Sequence, residues 1–155
     1  MDWTPMLEQC APQVAAATMR AVAQVESGFD PLAMHVNGHW RLGRRARDAG
    51  EAKAWLRWLM ARGHSVDVGL MQINTANFAA LGLTPDNAFD PCRNLAAGAA
   101  LLQAAYRRTR ATESDAQIAL RRAVSAYNTG REDDGFRNGY VARVVNAARP
   151  TGARP

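Results

Sequence analysis

The chain has 155 residues, 48% of them hydrophobic and 21% charged, which fits one globular domain and excludes a disordered or low-complexity chain. No apolar run reaches the about 18 residues that a membrane-spanning helix needs. The net charge is +5, with Lys53 the only lysine among 19 basic residues; such a surface suits an anionic partner without naming it.

In chain order, helix signals dominate. Thr4-Pro5 sets a cap residue before a proline and opens a short helix to about Cys10. After Pro12 a second helix runs from about Val14 to Glu26, with Met19, Val22, Ala23 and Glu26 on one face and Gly28 at its end. Met34 to Leu42 reads as a small β-hairpin turning at Asn37-Gly38. The basic stretch Arg41 to Arg47 follows. Asp48 and Glu51 form a capping box ahead of a helix carrying Ala52, Trp55, Leu56, Leu59 and Met60, closed by Gly63.

Val68 to Asn74 is a compact apolar run holding Gly69 and Gln72. A short helix from Thr75 to Leu81 stops at Gly82. Thr84-Pro85 and Asp90-Pro91 are two further helix starts, the second opening a long helix to about Arg108. Ser114 and Gln117 predict the cap of another helix, which carries Leu120, Val124 and Tyr127 and ends near Gly130. Glu132 to Asp134 reads as a solvated loop. A last helix carries Val141, Val144, Val145 and Ala148. The expected fold is mainly α, one domain over residues 1–149 with one small β-hairpin, and a frayed tail over 150–155.

Three short motifs carry chemistry. Glu26 lies on the apolar face of its helix and at the helix C-terminus. Partial burial and the helix dipole both favour its protonated form, as a general acid requires; the plainer alternative is a glutamate facing water at a helix end. In Gly69-Leu70-Met71-Gln72 with Asn74, the glycine lets backbone approach a ligand. The amides suit sugar hydroxyls and N-acetyl groups; an ordinary apolar turn is the alternative. Tyr127-Asn128 closes a helix, the ring packed and the hydroxyl free to reach a carboxyl group, or else simply a core tyrosine followed by a cap. Cys10 and Cys92 form no metal-binding spacing with each other or with the three histidines. They read either as two buried thiols or as one long-range disulfide.

Together, Glu26-Ser27, the Gly69 to Asn74 strip and Ala126-Tyr127-Asn128 resemble the lysozyme-like lytic transglycosylases, over about Ala21 to Val145. Glu26-Ser27-Gly28-Phe29-Asp30-Pro31, the Val68 to Asn74 run and Asp90-Pro91-Cys92-Arg93-Asn94 look like the subgroup serving type IV secretion and conjugation. So do the hairpin and extra helix between Glu26 and Asp67.

The resemblance implies a lysozyme-like fold and an enzyme that cleaves peptidoglycan glycan strands between N-acetylmuramic acid and N-acetylglucosamine, opening the wall for a secretion channel. Glu26 matches the single acid/base, and Ser27 the residue that fixes its turn. Gly69, Leu70, Met71, Gln72 and Asn74 match the saccharide cleft. Tyr127 and Asn128 match the pair beside the acid, and Tyr140 a late element packing the cleft. No metal or cofactor is implied. The partners implied are glycan strands and other type IV secretion components, in the periplasm. The start of the chain, MDWTPMLEQC, shows no secretory signal. An upstream leader or a phage-type enzyme released at lysis would each account for that. An exported setting in turn implies that Cys10 and Cys92 pair.

Two other functions stay open. If Asp67 faces the cleft about 6.5–9.5 Å from Glu26, a lysozyme-type muramidase with two carboxylates is favoured. A non-catalytic glycan-binding module would bind without turnover. Nucleic-acid binding is not expected, because the arginines lack interleaved aromatics and no DNA-reading motif appears.

Overall fold

The computed structural model describes residues 1–150. It has eight α-helices and one three-stranded antiparallel sheet, and the chain divides into two compact units. One comprises Met1–Val25 and the chain from Ala99 onward; the other is Glu26–Gly98. The predicted tail falls largely on residues 151–155, outside those described.

In the first unit, α1 (Thr4–Cys10) starts with proline in its first turn. It is tied to α2 (Ala16–Ser27) by Arg20 Nη2 donating to Thr4 Oγ1 at 2.8 Å. The α2 stripe buries Met19, Val22 and Ala23, as its spacing predicts. The long helix α5 (Pro91–Arg110) is fastened to α6 (Ala116–Thr129) through buried Thr109, whose hydroxyl donates to Ala119 O at 2.8 Å. Then α7 (Asp134–Arg137) and α8 (Tyr140–Ala148) pack on α6 and on each other. The close approach of α7 requires Gly135, where a Cβ would stand 2.6 Å from Ser125 Cα. Ser125 Oγ accepts from Gly135 N and donates to Arg131 O, both at 2.7 Å.

In the second unit, β1 (Met34–Val36), β2 (Val66–Val68) and β3 (Ile73–Asn74) form the sheet in that order. Its register sets His35 opposite Asp67, and Asp67 opposite Asn74. Between β1 and β2 lies α3 (Ala49–Ala61), capped by Asp48 accepting from Glu51 N at 2.8 Å. Ala52, Leu56 and Leu59 form its buried stripe. Ahead of α4 (Phe78–Leu81), Asn74 caps a 3₁₀ turn, and Gly82 ends the helix at φ 67°.

Both cysteines are disulfide-bonded and the chain holds no others, so Cys10 and Cys92 form one bridge. Closing a loop of that length adds on the order of 4 kcal/mol in the chain-entropy account.

Three local expectations are corrected. The hairpin at Asn37-Gly38 does not form: β1 pairs with β2, about thirty residues on, because Asn37 is anchored there. Its N–H donates to Ser65 O at 2.9 Å, and its side-chain amide reaches Ser65 Oγ and Asp67 Oδ2 at 3.2 and 3.3 Å. The hairpin that exists is β2–β3. Thr84-Pro85 opens a turn rather than a helix, since Asn87 Oδ1 takes the Thr84 N–H at 2.8 Å and closes it locally. The cap of α6 is Asp115, not Ser114, because the Asp115 carboxylate accepts from both Gln117 N and Ile118 N.

Candidate active site

The site is built where α2 ends. Glu26 is the penultimate residue of that helix and is half-buried. Ser27, the last helical residue, donates its hydroxyl to Leu70 O at 2.8 Å. That single bond ties the Glu26 turn to the loop joining β2 and β3.

Immediately after, Gly28 and Phe29 are both left-handed, each at φ 61°, and reverse the chain. Asp30 then fixes the turn. Its N–H returns to Ser27 O at 3.2 Å, and its carboxylate takes Leu32 N at 3.0 Å and the Arg45 guanidinium at 2.5 and 2.6 Å. Arg45, helped by the Leu32 amide, holds the Asp30 carboxyl below the usual carboxylate range, against a smaller burial effect.

The β2–β3 loop, Gly69 to Gln72, is the second wall. Gly69 is left-handed at φ 77°, and its N–H donates to Ala33 O at 2.8 Å. Glycine is required twice over, since a Cβ there would lie 2.4 Å from Asn94 Nδ2. Leu70 and Met71 are fully buried and build the wall's core, with Leu70 O taken by Ser27 and Met71 N by Asn94. Gln72 adopts φ 50°, and its amide Nε2 donates to Gly69 O at 3.0 Å and Ala33 O at 3.2 Å, leaving Oε1 as an acceptor. Phe29 and Gln72 are the non-glycine residues with positive φ among those described. Such strain costs about 1–3 kcal/mol per residue and gathers at functional sites. Both examples flank this corner of the molecule.

Asp67 has a different environment. Its Oδ1 accepts from Asn74 Nδ2 at 2.8 Å and its Oδ2 from Asn37 Nδ2 at 3.3 Å, with His35 Nδ1 at 3.6 Å. It laces three strand segments together. Asn74 is equally committed: its Nδ2 also reaches Ser65 Oγ at 2.9 Å and its Oδ1 caps Ala76 N.

Tyr127, Asn128 and Tyr140 belong to the first unit. Tyr127 is half-buried in the last turn of α6. Asn128 is exposed, and its Oδ1 accepts from Asn138 Nδ2 at 2.9 Å. Asn138 Oδ1 in turn takes the Tyr140 N–H at 2.9 Å, linking the ends of α6 and α8. Tyr140 is 2% exposed, with Arg143 over its ring.

Two residues support the site without having been assigned a role there from the sequence, although Asn94 closes the Asp90-Pro91-Cys92-Arg93-Asn94 motif. Asn94 is fully buried in the first turn of α5 and joins the loop to its surroundings: Oδ1 accepts from Met71 N at 2.7 Å, and Nδ2 donates to Val68 O and Ala88 O at 2.9 Å each. Gly98, one turn on, lets Met71 lie against the helix; a Cβ there would stand 2.6 Å from Met71 Cγ. The available clue was a polar and a small residue four apart on an apolar helix stripe. Among the described residues, no three His, Cys, Asp or Glu side chains stand together so as to hold a metal ion.

A family model described as transglycosylase SLT domain matches residues 6–145. The chain is 49% identical over 163 residues to "Protein virB1" of Agrobacterium fabrum, covering 99% of this chain and 64% of that protein. It is 40% identical over 152 residues to "Type IV secretion system protein virB1" of Brucella abortus, covering 94% of this chain and 63% of that one. It therefore spans a little under two thirds of the length of these relatives. No solved structure matches the chain.

Proposed function

The chain belongs to the transglycosylase SLT domain family, and from that premise we propose that residues 1–149 are the catalytic domain of a peptidoglycan lytic transglycosylase. It acts in the periplasm, cleaving the β-1,4 bond between N-acetylmuramic acid and N-acetylglucosamine so that a type IV secretion apparatus can cross the wall. The observation that carries the reading is the Ser27 Oγ to Leu70 O bond, which sets the turn bearing Glu26 against the Gly69–Gln72 loop.

In this reaction Glu26 is the only acid/base. It sits half-buried at the C-terminal end of α2. Glu26 gives its proton to the glycosidic oxygen as the bond to muramyl C1 breaks, and the muramyl N-acetyl group steadies the cation that develops. The carboxylate then takes the proton of the muramyl C6 hydroxyl, whose oxygen bonds to C1 and closes a 1,6-anhydro ring. No water is consumed. The nucleophile is part of the same sugar, so its effective concentration is high. Gln72 Oε1 meets the glycan, with the buried Gly69, Leu70 and Met71 shaping the loop that presents it, and Tyr127 and Asn128 take the substrate-side roles that the family resemblance gives them. Asn74 and Tyr140 act through packing and strand bonding.

A hydrolase would need a second carboxylate. Asp67, bonded to Asn37 and Asn74 across the sheet, is better suited to holding strands than to activating water, which supports the single-acid mechanism. Digestion of purified peptidoglycan, with mass spectrometry of the product ends, is the test. Anhydro-muropeptides are expected. Reducing ends would mean a muramidase or endolysin-type hydrolase, and saccharide binding without products a non-catalytic module.

A further inference from the structure

Residues 37–64 carry seven basic side chains against two acidic ones, a local excess equal to the net +5 of the whole chain. The same stretch holds three of the four tryptophans. They are not core residues in the ordinary sense. Trp40 is 41% exposed and Trp58 44%, and together with Trp55, Leu42, Ala54 and Leu59 they line an open apolar groove of about 680 Å³ between the chain at 40–44 and α3. Trp40 lies on Trp58 with ring centroids 5.9 Å apart, and on His64 at 5.5 Å. The α3 helix thus has two apolar faces, one buried through Ala52 and Leu56 and one left at the surface.

The arginines around the groove divide into two sets. Arg44, Arg45, Arg47 and Arg57 already face Glu51, Asp30, Glu51 and Asp86. Arg41 and Arg62 have no carboxylate among the described residues: Arg41 donates to the Gly38 and Trp40 carbonyls, and Arg62 to Trp58 O while lying 3.9 Å over the Trp58 ring. Two guanidiniums held beside an exposed tryptophan pair, with no acid of their own, form a surface of the composition that dominates protein interfaces.

We infer that this groove docks an acidic segment of a partner protein, one large apolar side chain entering between Trp40, Trp55 and Trp58 and its flanking carboxylates meeting Arg41 and Arg62. A sugar is the poorer fit. A pyranose needs donors and acceptors around its rim, whereas the lining side chains carry no acceptor: they offer only indole N–H groups and Arg44, which is already bonded to Glu51 and to Arg45 O. The charge excess also sets the sign of the partner, since like charges meeting across an interface are costly. The inference does not depend on the catalytic reading and can be tested whether or not the protein turns over peptidoglycan.

The experiment titrates the full chain with a short synthetic peptide in which glutamates flank a Leu-Phe-Leu core, reading tryptophan fluorescence. Three comparison ligands are the same core flanked by lysines, a tetramer of N-acetylglucosamine, and a muropeptide bearing its stem. Saturable binding of the glutamate peptide is expected, weakened about tenfold or more by Trp58→Ala and by Arg62→Glu, and falling with added salt. Arg62 is exposed, so its reversal leaves the fold intact and keeps the test valid should Trp58→Ala misfold; digestion of peptidoglycan by Arg62→Glu is expected to match the wild type. Equal binding of the glutamate and lysine peptides would overturn the proposal. So would indifference to Arg62→Glu, absence of binding, or tighter Trp58-dependent binding of the sugar tetramer or muropeptide.

Discussion

The Gly69–Gln72 loop and the arginine-rich stretch 41–47 belong to the same compact unit and are held by opposite means. The loop is anchored from beneath: Asn94 bonds Met71 within it and Val68 just before it, tying both to Ala88, Gly98 admits Met71, and Ser27 fastens it from the side. The arginine stretch is held by ion pairs at the surface, Arg44 and Arg47 on Glu51 and Arg45 on Asp30. Buried bonds of the first kind cannot be exchanged for water and are costly to lose. Surface pairs of the second kind contribute little and are screened. A wall proposed to bind substrate has to keep its geometry, while a surface segment has only to present its side chains.

Substitution should expose that contrast. The largest effect is expected from Asn94→Ala, which removes the buried bonds to Met71 N, Val68 O and Ala88 O together. A loss of about 3–5 kcal/mol is predicted, read by chemical denaturation. A cost below about 1 kcal/mol would mean that the loop is not held from α5. Next comes Gly69→Ala, which adds a left-handed penalty of about 1–2 kcal/mol and pushes a methyl into the Asn94 amide. Ser27→Ala removes one hydrogen bond, for about 1 kcal/mol of stability, but is expected to lower kcat by more than its stability loss accounts for, with KM little changed. Equal kcat in Ser27→Ala and wild type would separate the Glu26 turn from the loop's role.

The arginine stretch should respond weakly to mutation and visibly to acid. Arg45→Ala is expected to cost under about 1 kcal/mol, since the pair with Asp30 is largely exposed. Glu51 is held down to about 2, chiefly by the Arg44 guanidinium and then by the Arg47 amide, from an ordinary value of 4.5, and Asp30 is lowered likewise by Arg45. In both, the unfolded chain takes up protons first as the pH drops. Both contributions are therefore complete above the ordinary carboxylate range; that of Glu51 is lost as pH falls from about 4.5 toward 2, and that of Asp30 is lost as pH falls below its ordinary range. Hydrogen exchange should show segment 41–51 loosening in that window before the loop's Met71 amide does. Simultaneous loosening would erase the distinction between the two regions.

The same contrast explains what could be read from the sequence. Helix ends were legible because they are set by neighbours in the chain: proline in the first turn of α1, Asp48 capping α3, Gly82 and Gly130 in left-handed C-caps. The errors were also local in kind. Ser114 and Asp115 both make acceptable caps, and only geometry chooses between them. Asn37-Gly38 has the composition of a tight hairpin, yet Asn37 is claimed by Ser65 and Asp67, far along the chain. Asn94 was invisible as a site residue because its partners, Val68, Met71 and Ala88, are brought to it only by the fold. Glu26, the proposed acid/base, could be singled out for the opposite reason, being a carboxylate on the apolar face at a helix end, a pattern written within a single helix.

The central claim is that Glu26 alone carries the acid and base steps. It is tested most directly by assaying Glu26→Gln beside the wild type on purified peptidoglycan, with product analysis and a glycan-binding measurement on the same preparations. The account predicts anhydro-muropeptides from the wild type, and no turnover but retained binding from Glu26→Gln. Anhydro product from Glu26→Gln at a rate near that of the wild type would contradict it.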